Sequence, residues 1–192
     1  MNTAVTVAPQ ISKTARWQID PAHSAAHFSV RHMMISNVRG EFTKMKGSAL
    51  IDPANPAKSS VEVTIEAASL NTREPQRDEH LRSADFLDVA NHPTLSFRSK
   101  RIEEMGTGHF KLTGDLTIRG VTREVAFDLE GPTPPMKDPF GNTRIGIEAT
   151  SKIDRKEFGV SFNSLTEAGG LLVGDEVKIT VEAELIEKAQ GT

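Results

Sequence analysis

The chain has 192 residues, 26 of them acidic and 23 basic, for a formal net charge of -3. It contains no cysteine, which excludes disulfides, thiol chemistry and Cys-based zinc sites. No Lys/Arg block marks a nucleic-acid surface, and no run approaches the roughly 18 apolar residues of a membrane-spanning helix. Neither nucleic-acid binding nor stable membrane insertion is therefore expected.

Residues 1–15 read as a flexible N-terminal tail. They lack the continuous apolar stretch of a secretion leader, so a cytoplasmic chain is expected. A short strand opens at Arg16–Asp20. From Ser24 to Met34 the residues alternate, with Ala26, Phe28, Val30 and His32 on one face and His27, Ser29 and Arg31 on the other. Such a period of two marks a strand with one buried face. Val38, Gly40 and Phe42 continue the pattern. Its phase then slips between Lys44 and Gly47, which predicts a β-bulge.

After the Asp52–Pro56 break, Val61, Val63 and Ile65 alternate with Glu62, Thr64 and Glu66. The stretch 74–83 predicts the one short helix, with Pro75 in its first turn and Leu81 as its apolar contact. Further strands follow around Leu95–Ser99, Phe110–Ile118 and Val121–Leu129, the last two joined through a tight turn at Arg119-Gly120. Gly131–Gly141 is a Pro-rich loop. Ile145–Ile153 forms another strand, a helical turn is expected near Asp154–Phe158, and Val177–Leu185 is the last strand. Residues 188–192 read as a C-terminal tail.

About eight antiparallel strands with one wet face must close on themselves or stack as two sheets. Periodicity alone leaves barrel and sandwich both open. It excludes a membrane barrel, because here the alternate face carries Glu, Lys, Arg and Asp where lipid would have to lie. Small inward residues such as Ala26, Gly40, Gly114 and Ala149 leave room for a ligand. They fit the taper of a packed barrel equally well.

The runs Trp17–Ser24, Phe28–His32, Val38–Phe42, Arg77–Asp88, His92–Phe97 and Leu112–Thr122 together resemble the YceI-like family, across roughly Arg16 to Leu185. The resemblance implies an all-β fold: an antiparallel eight-stranded lipocalin-like barrel spanning 16–187, with an elongated apolar pocket. It also implies cargo such as a long-chain isoprenoid or a fatty-acid-like lipid, with no cofactor. Many members carry a secretion signal and act in the periplasm, whereas the opening residues here predict a cytoplasmic chain.

The candidate pocket residues are Phe28, Val30, His32, Val38, Phe42, Phe97, Phe110, Leu112, Gly114, Leu116, Val125, Phe127 and Ile147. Gly114 is expected to leave space for cargo, and His32 to offer a hydrogen bond. Arg77 and His80 share a helix face and are candidates for greeting a lipid head group. His23, His27 and His32 do not converge, so no metal site is expected. No nucleophile with a supporting base is identifiable, so no catalytic residue is assigned. The leading expectation is noncatalytic lipid binding, storage or transport. Two alternatives stay open: a lipid-modifying or isomerase-like enzyme using His32, and a stress-related interaction protein with a solid core. Barrel edges and mouths also offer pairing surfaces for a homodimer.

Overall fold

The computed structural model describes residues 11–164 and 172–188. In chain order its strands are β1 (Ala15–Ile19), β2 (Ala25–His32), β3 (Ser36–Phe42), β4 (Met45–Ile51), β5 (Ser60–Glu66), β6 (Leu70–Asn71), β7 (Thr94–Gly106), β8 (His109–Ile118), β9 (Val121–Glu130), β10 (Met136–Lys137), β11 (Thr143–Asp154) and β12 (Val173–Lys188). One helix, α1 (Pro75–Arg82), lies between β6 and β7.

All strand pairings are antiparallel. Following the neighbours from β12 through β1, β4, β5, β7, β8, β9 and β11 returns to β12, which closes an eight-stranded barrel. The strand β12 closes the ring. Its Asp154↔Glu176 to Arg144↔Ile186 register binds β11 on one side. On its other side it pairs with β2 up to Glu182↔Ala25, then with β1 from Ile19↔Leu185. The strands β2, β3 and β6 extend the wall beside that seam.

Alternation places the core. In β8 and β9, Leu112, Leu116, Ile118, Phe127 and Leu129 are buried, while Lys111, Glu124 and Asp128 are exposed or partly so. Each fully buried Leu or Phe contributes roughly 1.5–3 kcal/mol of apolar burial. The Arg119-Gly120 turn forms as the sequence predicts. Its φ values of 50° and 73° are those of the mirror-image turn that matches strand twist.

The helix also forms where Pro75 indicates. Glu74 caps it by accepting from the Gln76 N–H, and Ser83 ends it. Leu81, on its inner side, packs against the core. The helical turn expected near 154–158 is a 3₁₀ turn over Arg155–Phe158, capped by Asp154 and ended by Gly159 at φ 75°.

Two boundaries differ from expectation. The phase slip at Lys44–Gly47 is not a bulge. The chain breaks at Thr43–Lys44 because β3 pairs with β2 while β4 pairs with β1 and β5, so the faces exchange at a corner between partners. The register shifts that do occur lie in β7 against β8, at Ser99/Arg101 and Glu104/Gly106, and in β12 against β2. The expected tails, 1–15 and 188–192, lie mostly outside the described residues. Within them, Ile11 packs on the core, Ala15 is buried in β1 and Lys188 ends β12.

Candidate functional site

The barrel encloses a cavity of about 230 Å³. Its wall runs along β12 from Val173 through Val177, Ile179, Val181 and Ala183 to Leu185. The lining is therefore drawn from most of the height of β12, interrupted by the register shift between Val173 and Val177. Among the described residues its polar border is limited to His27, Ser48, Ser96 and Arg155.

Of the residues expected to line a pocket, Phe28, Val30, Phe42, Phe97, Leu112, Leu116, Phe127 and Ile147 come together around this cavity. Phe28 packs on Phe42 at 5.8 Å between ring centroids, and Phe97 meets Phe127 edge-on at 5.2 Å. The others lie elsewhere. Val125 packs against the core from the barrel wall without reaching the cavity. Phe110 borders a separate cleft with Met105 and Glu130 at the β7–β8 end. His32 sits at the tip of the β2–β3 hairpin, beyond the last lining residue of β2, Val30, whereas Val38 pairs with Val30 but stands on β3, outside the closed ring.

Gly114 does not open space. A Cβ there would lie 2.7 Å from Phe97 Cζ and 2.8 Å from Ser99 Cα, and closer still to the Arg98 carbonyl. It is small because β7, shifted in register at Ser99/Arg101, presses on it. Gly40 has the same role beneath the Phe28 ring.

The end of the barrel near α1 is covered by Leu70, Leu81, Phe86, Leu87, Phe158 and Val160, all of which line the cavity. Most of these come from segments without strand periodicity, so alternation gave no sign of them. Three arginines hold the cover. Arg155 is 5 % exposed and gives all its N–H groups inward. Its Nε donates to the Gly174 carbonyl, its Nη1 to those of Val160 and Phe162, and its Nη2 to the Val173 carbonyl and Asp175. Burial pushes its pKa below the usual guanidinium value, with Asp175 and Asp154 opposing. Arg119, in the β8–β9 turn, spans from the Gly159 carbonyl (2.9 Å) to the Ala84 carbonyl (2.7 Å). Arg82 donates to the carbonyls of Ala68 and Leu70.

Arg77 is likewise committed. Its Nε donates to Thr72 Oγ1 at 2.7 Å and its Nη2 to the Thr72 carbonyl at 2.8 Å. The buried Asp78 accepts from the Thr72 N–H and hydroxyl, which completes a polar joint between α1 and β6. His80 stands over the cover instead of lining the cavity. Its ring meets Phe86 and Phe162 edge-on at 5.1 and 4.9 Å, and its Nε2 lies 2.9 Å from Asp85 Oδ2. Arg77 and His80 therefore both lie outside the cavity lining.

On the outer wall, Asp20, His23 and Glu184 place ligand-type atoms within 4.8 Å of one another. A cation already occupies their midst. Arg144 Nη1 donates to Asp20 at 2.6 Å and to Glu184 at 2.7 Å, and its Nε to Asp138 at 2.7 Å. Hydrogen bonds from Arg144, His23 and the Ala22 N–H lower the Asp20 carboxyl from its ordinary 3.8 to about 2. The guanidinium satisfies these carboxylates, and the cluster serves to fasten the 131–142 loop to the wall.

The YceI-like domain family matches residues 17–185 of the chain. A UPF0312 protein of Vibrio cholerae is 36% identical over 159 residues, covering 82% of this chain and 84% of that protein. The crystal structure of the Campylobacter jejuni YCEI protein superimposes with a TM-score of 0.69 at 33% identity, covering 83% of this chain and 90% of that one. A polyisoprenoid-binding domain from Saccharophagus degradans shares the fold at 14% identity, with a TM-score of 0.64, over 92% of this chain and all of the other. The apolar barrel and the sequence relationships agree on one assignment: the chain belongs to the YceI-like family.

Proposed function

We propose that this protein holds a long-chain lipid, of the isoprenoid or fatty-acid type, inside the barrel and does so without turning it over. The observation that carries this reading is the cavity inside the barrel: about 230 Å³, walled by Phe, Leu, Ile, Val and Ala side chains that extend along β12 from Val173 to Leu185. Burial contributes ~0.8 kcal/mol per CH₂ before the cost of association, so a long hydrocarbon chain needs few polar contacts to bind. The Saccharophagus domain of the same fold is described as polyisoprenoid-binding, which supports the isoprenoid class.

Binding without turnover is supported by how the polar groups at the border are used. Arg155 is spent on backbone carbonyls, and the His27 ring faces Glu41 at 3.8 Å. His32, the residue an isomerase-like reading would require, lies past the lining. A solid-core reading is disfavoured by the cavity itself.

Organic extraction of the purified protein, followed by mass spectrometry, tests the proposal. A long-chain lipid is expected at close to one per chain. Protein that yields no lipid, and that takes up neither a fatty acid nor a prenyl alcohol when these are offered, would overturn it.

A further inference from the structure

The β2–β3 hairpin ends in Met33-Met34-Ile35, a tip that contradicts both its turn type and its surroundings. Met33 and Met34 hold φ values of 50° and 58°, with the Ile35 N–H donating to the His32 carbonyl. This mirror-image turn favours Asn-Gly, and two methionines there carry backbone strain. The side chains also face water: Met33 is 41%, Met34 67% and Ile35 76% exposed. Strain and exposed apolar surface both cost stability, and together at one tip they indicate a surface shaped for contact.

The charge around the tip identifies the partner. From Pro21 to Gly40 the chain has no Asp or Glu, although acids outnumber bases over the whole sequence. The exposed Arg31 and Arg39 flank the tip, and among the described residues neither has a carboxylate partner. Arg31 Nη2 reaches back to the Met34 carbonyl at 3.3 Å, which keeps its charge beside the apolar residues. The acids on neighbouring strands already face cations: Glu41 faces His27, Asp175 faces Arg155 and Lys156, and Glu176 faces Lys152. Apolar side chains at a tip, with cations behind them that have no carboxylate partner among the described residues, fit an anionic bilayer, with the side chains entering the interface and the arginines meeting phosphates.

The location is also specific. Val30 and Val173 both line the cavity, and His32 at the base of the tip pairs with Val173. The tip therefore rises at the end of the barrel covered by α1. Of the other exposed large apolar side chains, Met105 stands near the β7–β8 turn, and Met136 and the 89% exposed Phe140 flank Asp138, in the loop that Arg144 ties to Asp20 and Glu184 on the outer wall.

We propose that the Met33-Met34-Ile35 hairpin is a docking finger that sets the cavity end of the barrel on an anionic lipid surface. Its use as the route by which cargo enters rests on the lipid-holding reading above. The finger itself does not.

Flotation with vesicles of equal parts phosphatidylglycerol and phosphatidylcholine, against phosphatidylcholine alone, tests the proposal. The natural chain is expected to float with the anionic vesicles only. Met34→Ser with Ile35→Ser is expected to weaken flotation about tenfold or more, while Phe140→Ser leaves it unchanged. Met33→Asn with Met34→Gly, which suits the turn, is expected to raise the thermal midpoint and still lose flotation. Flotation that is absent, equal on neutral vesicles, or unaffected by the tip variants overturns the docking finger. So does tip-dependent self-association in sedimentation without flotation, which would make a second copy the occupant. Uptake of the fluorescent apolar probe N-phenyl-1-naphthylamine in vesicle-free buffer reports on the cavity separately. Its failure alongside tip-dependent flotation sinks the lipid-holding reading and leaves the finger standing.

Discussion

Phe97 lies against Gly114 so closely that a Cβ on the glycine would stand 2.7 Å from the ring's Cζ. The ring lines the cavity and stacks edge-on with Phe127, so the glycine sets where the wall of the pocket lies. The neighbouring strand leaves it no escape, because Ser99 Cα would be 2.8 Å away. Gly114→Ala is expected to destabilise the fold by ~1–3 kcal/mol, the usual cost of overpacking, as read by urea denaturation. Gly146→Ala, whose Cβ would meet only Thr133 at 3.4 Å, is the matched control and should change stability by less than ~0.5 kcal/mol.

Arg155 joins the 3₁₀ turn, the segment after it and the start of β12 through five carbonyl or carboxylate contacts. Removing it leaves buried carbonyls without donors. Arg155→Met is expected to cost ~3 kcal/mol or more. Hydrogen exchange should accelerate first at 159–164 and 173–175. Arg155→Lys should rescue little, because a point charge cannot serve a fan of carbonyls.

Ala149 is buried, lines the cavity and sits between Leu129 and Val181 in the sheet. A larger side chain there projects into the hydrocarbon path, with free space to receive it. Ala149→Phe is expected to lower lipid content after extraction about tenfold or more while circular dichroism stays that of the parent. Undiminished loading would mean that cargo sits elsewhere.

The Asp20 carboxyl, lowered from 3.8 to about 2 by hydrogen bonds from Arg144, His23 and Ala22, links the outer wall to pH. A carboxyl depressed by folding adds stability that is complete above its unfolded value and disappears as pH falls through its folded value. Asp138 is also lowered, first by Arg144 and then by Asn142, and acts in the same direction. The thermal midpoint is therefore expected to hold from neutrality to about pH 4 and to fall between about pH 4 and 2. Arg144→Met should lower the midpoint at pH 7 and flatten that acid limb. A variant with the same acid slope as the parent would refute the linkage.

Arg77 anchors Thr72, so its removal should be read in stability and not in affinity. Arg77→Ala is expected to cost ~1–2 kcal/mol in denaturant while leaving the uptake of a phosphorylated prenyl lipid unchanged. His32→Ala should likewise leave lipid loading intact.

The wall of the barrel was readable from the sequence because strands with one wet face write their geometry as alternation. Phe28, Phe42, Leu112, Leu116 and Phe127 needed no more than parity. Parity fixes a face but not a height along the barrel. His32 and Phe110 have the right face at the wrong level, Val38 stands level with the lining Val30 but on β3 outside the ring, and Val125 faces the core without reaching the cavity. Gly114 was misread because a missing side chain looks the same whether it leaves space or yields to a neighbour. The cover was hidden for a different reason. Phe86, Phe158 and Val160 stand in turns, where no period exists, and Arg155 reads as one more charge in a polar run until its carbonyl partners are brought around it by folding.

The barrel's first strand finds its partner in the last. Because β12 seals the ring against both β1 and β11, the sheet keeps two raw edges until β12 is in place. Closure joins the extremes of the chain and is correspondingly slow among small domains. A chain cut before Val173 would therefore present a sticky, edge-exposed sheet and not a shortened barrel, so one strand decides whether there is an inside at all.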